Sequence, residues 1–515
     1  NSKGALPYDD YMLEEQSCKA NEGMNLLKFK VSIYKDAVTV PLGTLTDDKI
    51  EIGTTAKDED TDSHIGQTQE NVYIVDTVEY SGLKKGTEYK LVGTLMNQET
   101  GKAITVNGKA VTAEKVFTAK HTSGEVDVEF KVPGSAVKGK AVVVFEDLYL
   151  EDIKLATHSE IEDEGQTVYY PEIKTKAKDS ETLVGVGKAD DKITLVDTVS
   201  YSGLMPEKDY TVIGTLMDKA TGEPIMDGDK EVTAEADFVP KKTSGTVDVA
   251  FEFNGKYLEG KAVVVFETLK YHNREVAVHN DIKDDGQTVY FPEIGTTATD
   301  AETEIGIGKA DENVTIIDTV SYESLRAGLE YKVTGVLMDK ATGEAIKVND
   351  KEVTSEATFI PDKSEGTVEV AFNFDATGLQ GKSVVVFESL YYRDVELAVH
   401  ADIKDDGQTI YFPEIGTTAK DVETNNHISK ADENITIVDT VEYKNLRPGY
   451  EYKVSGVLMN KATGEPIKVD SKNVTAETVF TPETVNGSVE IVFNFNGVEL
   501  EGKTVVAFES VSYKD

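Results

Sequence analysis

The sequence predicts an all-β protein made of tandem β-sandwich domains. Three observations carry this. A block of fixed length recurs four times, its text is strand-like throughout, and amphipathic helical periodicity is sustained nowhere. VVVFE ends at Glu146, Glu267 and Glu388, and VVAFE ends at Glu509. DTV begins at Asp76, Asp197, Asp318 and Asp439, while GQT places Gln166, Gln287 and Gln408. Each step is 121 residues (267 − 146 = 121), so no net insertion separates the markers. A unit this long is a whole domain, because solenoid repeats run to about 20–50 residues.

Taken in chain order, residues 1–46 lie outside the repeat. GALPYDDYMLEE and NEGMNLLKFKVSIY read as strands and turns, too few for a domain of their own. The repeats then span 47–171, 172–292, 293–413 and 414–515, with boundaries at the recurring Pro-Glu-Ile of Pro171, Pro292 and Pro413. Within a repeat, runs such as ITLVDTVSY (Ile193–Tyr201) and AVVVFE (Ala262–Glu267) are rich in Val, Ile, Thr and aromatics. Turn text such as KATGEP (Lys219–Pro224) punctuates them. About seven or more strands per repeat fit a sandwich. Strand-like text flanks each boundary, as in QTVYFPEIGTTA (Gln287–Ala298), so short, stiff joints and an extended rod are expected.

Composition narrows the function. Asp and Glu number 94 against 53 Lys and Arg, a net charge of −41. Nucleic acid is excluded as a partner, since phosphate binding needs clustered cations, and anionic membranes are disfavoured likewise. No apolar run approaches the ~20 residues of a membrane helix, so no membrane insertion is expected in this segment. The single cysteine, Cys18, rules out an intrachain disulfide framework and a multi-Cys zinc site.

Side chains alternate across a strand, so parity assigns faces. Asp76 shares a face with Val72, Ile74 and Val78, and the same pattern surrounds Asp197, Asp318 and Asp439. Glu146 sides with Val142 and Val144. Thr54 sides with Ile50, Ile52 and Ala56, and Thr175, Thr296 and Thr417 repeat it. Gln166 sides with Val168 and Tyr170, and Gln287 and Gln408 likewise. Each complete repeat thus turns a Thr, an Asp, a Glu and a Gln toward its core. A buried hydrogen-bond network that fixes register is one reading. Chemistry is the other. A Thr hydroxyl becomes a nucleophile once a base takes its proton, and a Gln carboxamide is an acyl group with ammonia as leaving group. A carboxyl among valines has a raised pKa and can donate a proton. Together they would give an ester and free ammonia.

On these residues the chain resembles the VaFE-repeat, or Thr–Gln ester-bond, domains of Gram-positive cell-surface proteins and adhesins. The resemblance covers roughly residues 47–515. It rests on T-x-A in the opening strand, D-T-V-x-Y, V-V-x-F-E, a His eight residues before a Gln, and Q-T at the closing strand. It implies an immunoglobulin-like sandwich whose first and last strands are joined by an autocatalytic ester. The implied links are Thr54–Gln166, Thr175–Gln287 and Thr296–Gln408. Asp76, Asp197 and Asp318 would assist proton transfer with Glu146, Glu267 and Glu388. His158, His279 and His400 would complete the sites. Parity leaves these histidines open between loop packing and chemistry. The other four, His64, His121, His272 and His427, read as solvated surface residues. The fourth repeat keeps Thr417, Asp439 and Glu509, but its His and Gln would fall at 400 + 121 = 521 and 408 + 121 = 529, past Asp515. Tyr11, Leu13 and Glu15 match the Y-x-L-x-E of collagen-adhesin B-type (SpaA-like) domains, so residues 1–46 resemble the end of such a domain. No closing-strand Asn is evident, and no isopeptide bond is expected.

The expected function is a structural stalk of a cell-wall-anchored, extracellular bacterial adhesin, stiffened by these links. It would meet a host or neighbouring-cell ligand through a part outside this chain. Only single-turnover self-linking is expected, with no turnover of added substrate, no cofactor and no metal site. Two alternatives stand beside it. KDEDTD (Lys57–Asp62) and DIKDDGQ (Asp281–Gln287) could hold Ca²⁺ in an adhesion module, although the EF-hand spacing is absent. The Glu, Asp and His could form a hydrolase site, against which their inward parity argues.

Overall fold

A computed structural model describes residues 6–21, 26–35 and 49–513. The expectations for residues 1–5, 22–25, 36–48 and 514–515 lie outside the described residues.

The first repeat shows how sequence builds the sandwich. Its opening strand, Glu51–Asp58, pairs antiparallel with the aspartate strand Asn71–Ser81, which pairs in turn with Gly124–Pro133. The facing sheet centres on the glutamate strand Lys140–Leu150. That strand pairs with Glu88–Asn97 on one side. On its other side lie the histidine strand Ile153–His158 and the closing strand Thr167–Tyr170. Burial alternates along the aspartate strand, where Val72, Ile74 and Val78 are buried between more exposed neighbours. The core is Val, Ile and Leu closed by Tyr89, Phe130 and Tyr170. Each fully buried large side chain contributes about 1.5–3 kcal/mol.

The later repeats reproduce this order. Their opening strands are Glu172–Asp179, Glu293–Asp300 and Glu414–Asp421. Their glutamate strands are Lys261–Tyr271, Lys382–Tyr392 and Val505–Tyr513. The fourth repeat has two three-stranded sheets. Along this fold a single residue, Pro171 or Pro413, separates a closing strand from the next opening strand. Neighbouring repeats also touch: Arg274 donates through Nη2 to the Ile65 carbonyl at 2.7 Å, and Asn445 donates to the Lys382 carbonyl.

At the N-terminus, Asp9–Glu14 pairs antiparallel with Lys28–Ile33. Glu15 accepts from Asn21 Nδ2 at 2.8 Å and from the Leu27 amide at 3.2 Å, and the Cys18 thiol is free and exposed. No described helix is long and apolar enough to cross a membrane.

Candidate functional site

Where the two sheets close on each other, the opening and closing strands bring a threonine to a glutamine. Gln166 Nε2 lies 2.5 Å from Thr54 Oγ1, Gln287 Nε2 lies 2.8 Å from Thr175 Oγ1, and Gln408 Nε2 lies 2.7 Å from Thr296 Oγ1. Each pair is 112 residues apart in sequence. All three glutamines are 0 % exposed, while the threonines are half-buried.

The carboxyls sit against this contact. Asp76, Asp197 and Asp318 are 0 % exposed, and Glu146, Glu267 and Glu388 are 1 % exposed. As two carboxylates, an Asp and its Glu would have no donor between them, and most of these oxygens have no hydrogen-bond partner. Such a pair cannot both ionise in a dry core, so one proton is retained and shared. Desolvation first, and then the adjacent Asp, push Glu146 up to about 9, Glu267 to about 11 and Glu388 to about 10. Desolvation also raises the aspartates, Asp76 to about 7. Hydrogen bonds with the neighbouring Thr hydroxyl and Glu carboxyl keep these values below what burial alone would set. Glutamate therefore holds the proton and aspartate is the first to ionise. Gln287 Nε2 donates to Glu267 Oε2 at 2.6 Å, and Gln408 Nε2 donates to Glu388 Oε2 at 2.7 Å. In the first repeat the Gln166 carboxamide meets Thr54 and makes no hydrogen bond to Glu146.

The histidines are placed by the strand beside the glutamate. His158, His279 and His400 pair in register with Glu146, Glu267 and Glu388. Each uses Nε2 to meet an aspartate: Asp163 at 2.9 Å, Asp284 at 3.0 Å and Asp405 at 3.1 Å. Burial raises Asp163, but hydrogen bonds from His158 and the Gly165 amide bring it below its ordinary value. Strand parity misses these aspartates because they lie in turns. A signal for them exists, an Asp three residues before each Gln at the 121-residue step.

A second feature that parity misses is a glycine opposite each glutamate: Gly93, Gly214, Gly335 and Gly456. A Cβ on Gly93 would lie 2.3 Å from Glu146 Oε1, and one on Gly214 would lie 2.5 Å from Phe251 Cζ. Glycine in a strand interior marks such a close approach.

One histidine departs from expectation. His64 is half-buried, with Nδ1 3.1 Å from the Thr167 carbonyl, because its loop pairs with the closing strand through Ile65 and Tyr169. His121, His272 and His427 are exposed, as the sequence suggests.

The fourth repeat buries Asp439 completely, but Thr417 is exposed. Desolvation and Asp439 raise Glu509 to about 8. A groove of about 510 Å³ opens along Thr417, Asp439, Val505 and Ala507. Ile428 is 75 % exposed there, whereas its counterpart Ile307, bridged to Tyr411, is 5 % exposed.

The acidic stretches are engaged in turns. Asp58 accepts from the Thr61 amide and Tyr170 Oη, and Lys57 pairs with Asp62. Among the described residues no cluster of three His, Cys, Asp or Glu is arranged to hold a metal.

The chain matches a family model and several solved structures. The profile described as "T-Q ester bond containing domain" matches residues 50–170, 171–291, 292–412 and 413–515. Among solved structures, an adhesin from Mobiluncus mulieris, described as containing intramolecular disulfide, isopeptide and ester bond cross-links, matches in two crystal forms. One is 15 % identical with a TM-score of 0.21, covering 48 % of this chain and 87 % of that one. The other is 14 % identical with a TM-score of 0.22, covering 67 % and 100 %. A 1.5-MDa bacterial ice-binding adhesin is 12 % identical with a TM-score of 0.20, covering 68 % of this chain and 95 % of that one. Likeness of this degree assigns no residue a role. No curated protein matches the chain.

Proposed function

Since the chain belongs to the family of T-Q ester bond containing domains through four tandem copies, we propose that it is the structural stalk of a bacterial surface adhesin. Three self-formed esters stiffen it: Thr54–Gln166, Thr175–Gln287 and Thr296–Gln408. The carrying observation is the Thr Oγ1 to Gln Nε2 contact, made between first and last strands three times beside a buried carboxyl pair.

The chemistry follows from the second repeat. Ionised Asp197 takes the Thr175 Oγ proton as Oγ attacks Gln287 Cδ. The Cδ–N bond breaks, and Glu267, at 2.6 Å from Nε2, gives its proton to the leaving nitrogen. Asp197 then passes its new proton to Glu267. The products are one ester and one ammonia, and the pair ends with the protons it began with. His279, held by Asp284 at Nε2, pairs in register with Glu267 beside the reacting groups. The reaction runs once per repeat, which makes the protein a cross-linked structural element with no turnover. An extracellular setting suits a chain that gains covalent ties with one cysteine.

Intact mass tests this. The expected mass is lower than that of the sequence by three ammonia molecules, with cross-linked peptides pairing each Thr with its Gln. A mass equal to the sequence sinks the ester reading. Thr175→Ala should abolish one loss and keep two.

A further inference from the structure

The three complete sites differ in how their closing turns are held. In the second repeat Lys219 Nζ donates to Asp285 Oδ1 and to Thr288 Oγ1, both at 3.0 Å. In the third, Lys340 Nζ donates to Asp406 Oδ1 and Thr409 Oγ1, both at 2.9 Å. These acceptors lie two residues before and one after the reacting Gln. Thr288 and Thr409 are 0 % exposed and also donate to the Asp284 and Asp405 carbonyls. One ammonium thus spans the glutamine from both sides. Each lysine directly follows the strand that pairs with the glutamate strand, Tyr210–Asp218 or Tyr331–Asp339. It therefore ties the Gln turn to the sheet that carries the Glu.

The first repeat has no such tie. Gln98 stands at the lysine position and donates to the Ile161 carbonyl at 3.3 Å, and Glu164 replaces the paired aspartate. Its turn is a 3₁₀ segment, Glu164–Gln166. This is also the repeat in which Gln166 does not reach its glutamate. Where the lysine is present, the carboxamide nitrogen bridges Thr and Glu, and where it is absent, the bridge is half made.

We infer that Lys219 and Lys340 are positioning residues for ester formation, setting the carboxamide between nucleophile and acid, and that the first repeat reacts more slowly for want of one. The inference rests on the ester reading above. Neither lysine touches the reacting atoms. A small misplacement of a reacting group slows chemistry by about one to two powers of ten.

The full chain, made by cell-free synthesis, tests it when aliquots are quenched in urea at timed intervals. Free and cross-linked peptides of each repeat are then counted by mass spectrometry after trypsin digestion. The first repeat should lag the second and third about tenfold. Lys219→Gln should slow only the second repeat by a similar factor, with the third as internal control. Lys219→Arg should restore most of its rate, and Gln98→Lys should speed the first. In a Thr175→Ala background, Lys219→Gln should lower the melting temperature only slightly, far short of what the rate loss corresponds to, whereas a merely stabilising lysine would account for the whole loss. Equal rates in all repeats, unmoved by these substitutions, overturn the inference and leave the ester reading intact. A drop in melting temperature matching the rate loss also overturns it. Absence of ammonia loss in every repeat of the unmodified chain overturns both.

Discussion

A glutamic acid packed among Val142, Val144 and Leu148 and facing an aspartate keeps its proton far above the pH at which an exposed one loses it. The consequence is a pH window. Attack needs Asp76 ionised, so the first repeat should cross-link faster as pH rises through about 7. Protonation of the leaving nitrogen needs Glu146 neutral, so the rate should fall above about 9. A timed cross-link assay across pH should give a bell, and a rate flat across that range would contradict the roles assigned. The same carboxyls act on stability with a definite sign. Their folded values lie above the unfolded ones, 3.8 for Asp76 and 4.5 for Glu146. The native state therefore binds more protons, and the stabilisation is fully present at low pH. It is lost as pH climbs from the ordinary carboxyl range towards about 9. With the ester removed by Thr54→Ala, the first repeat should melt at progressively lower temperature as pH rises over that span, seen by calorimetry. Rising stability would show that the pair is ionised in the fold.

At the scale of the strand, the site is built by register. Pairing sets Glu146 opposite Gly93 and beside His158, so a glycine opens the space and the next strand supplies the imidazole. Gly93→Ala would put a methyl 2.3 Å from Glu146 Oε1. Overpacking of this kind costs about 1–3 kcal/mol. The cross-linked peptide of the first repeat should become scarce while those of the second and third persist. An unchanged yield would mean the backbone yields there. Strand physics also explains what is legible in the sequence. Period-two alternation alone turns Asp76, Asp197, Asp318 and Asp439 inward, and all four are fully buried. The residue types by themselves suggest an ester with loss of ammonia, but which Thr joins which Gln comes from resemblance, since parity names a face and no partner. Asp163 and Lys219 escape that pattern because they lie in turns, where alternation ends and partners are chosen in three dimensions. The half-burial of His64 escapes it for a related reason. Its loop pairs with a strand about a hundred residues away, a contact no local pattern announces.

For the chain as a whole, tension enters a repeat at its opening strand and leaves at its closing strand, which runs through one proline into the next repeat. The proposed Thr–Gln ester would join those two strands directly and bypass the stretch between them, 112 positions from Thr to Gln. In the unfolded state, closing a loop of that length is worth about 4–5 kcal/mol by analogy with disulfides. Under load the covalent path matters more, since strand separation no longer lengthens the chain. Pulling residues 49–513 from their ends should therefore leave the first three repeats folded at moderate force and open the fourth, whose Thr417 has no glutamine partner among the described residues. Thr296→Ala should add a second unfolding event. At about 3.3–3.6 Å per residue the freed segment of the third repeat contributes about 370–400 Å of contour. Single-molecule force spectroscopy reads this length directly. Four unfolding events in the unmodified protein would mean that the strands are held by hydrogen bonds alone. A single event that becomes two on substitution of one threonine hydroxyl would locate the load path in that side chain.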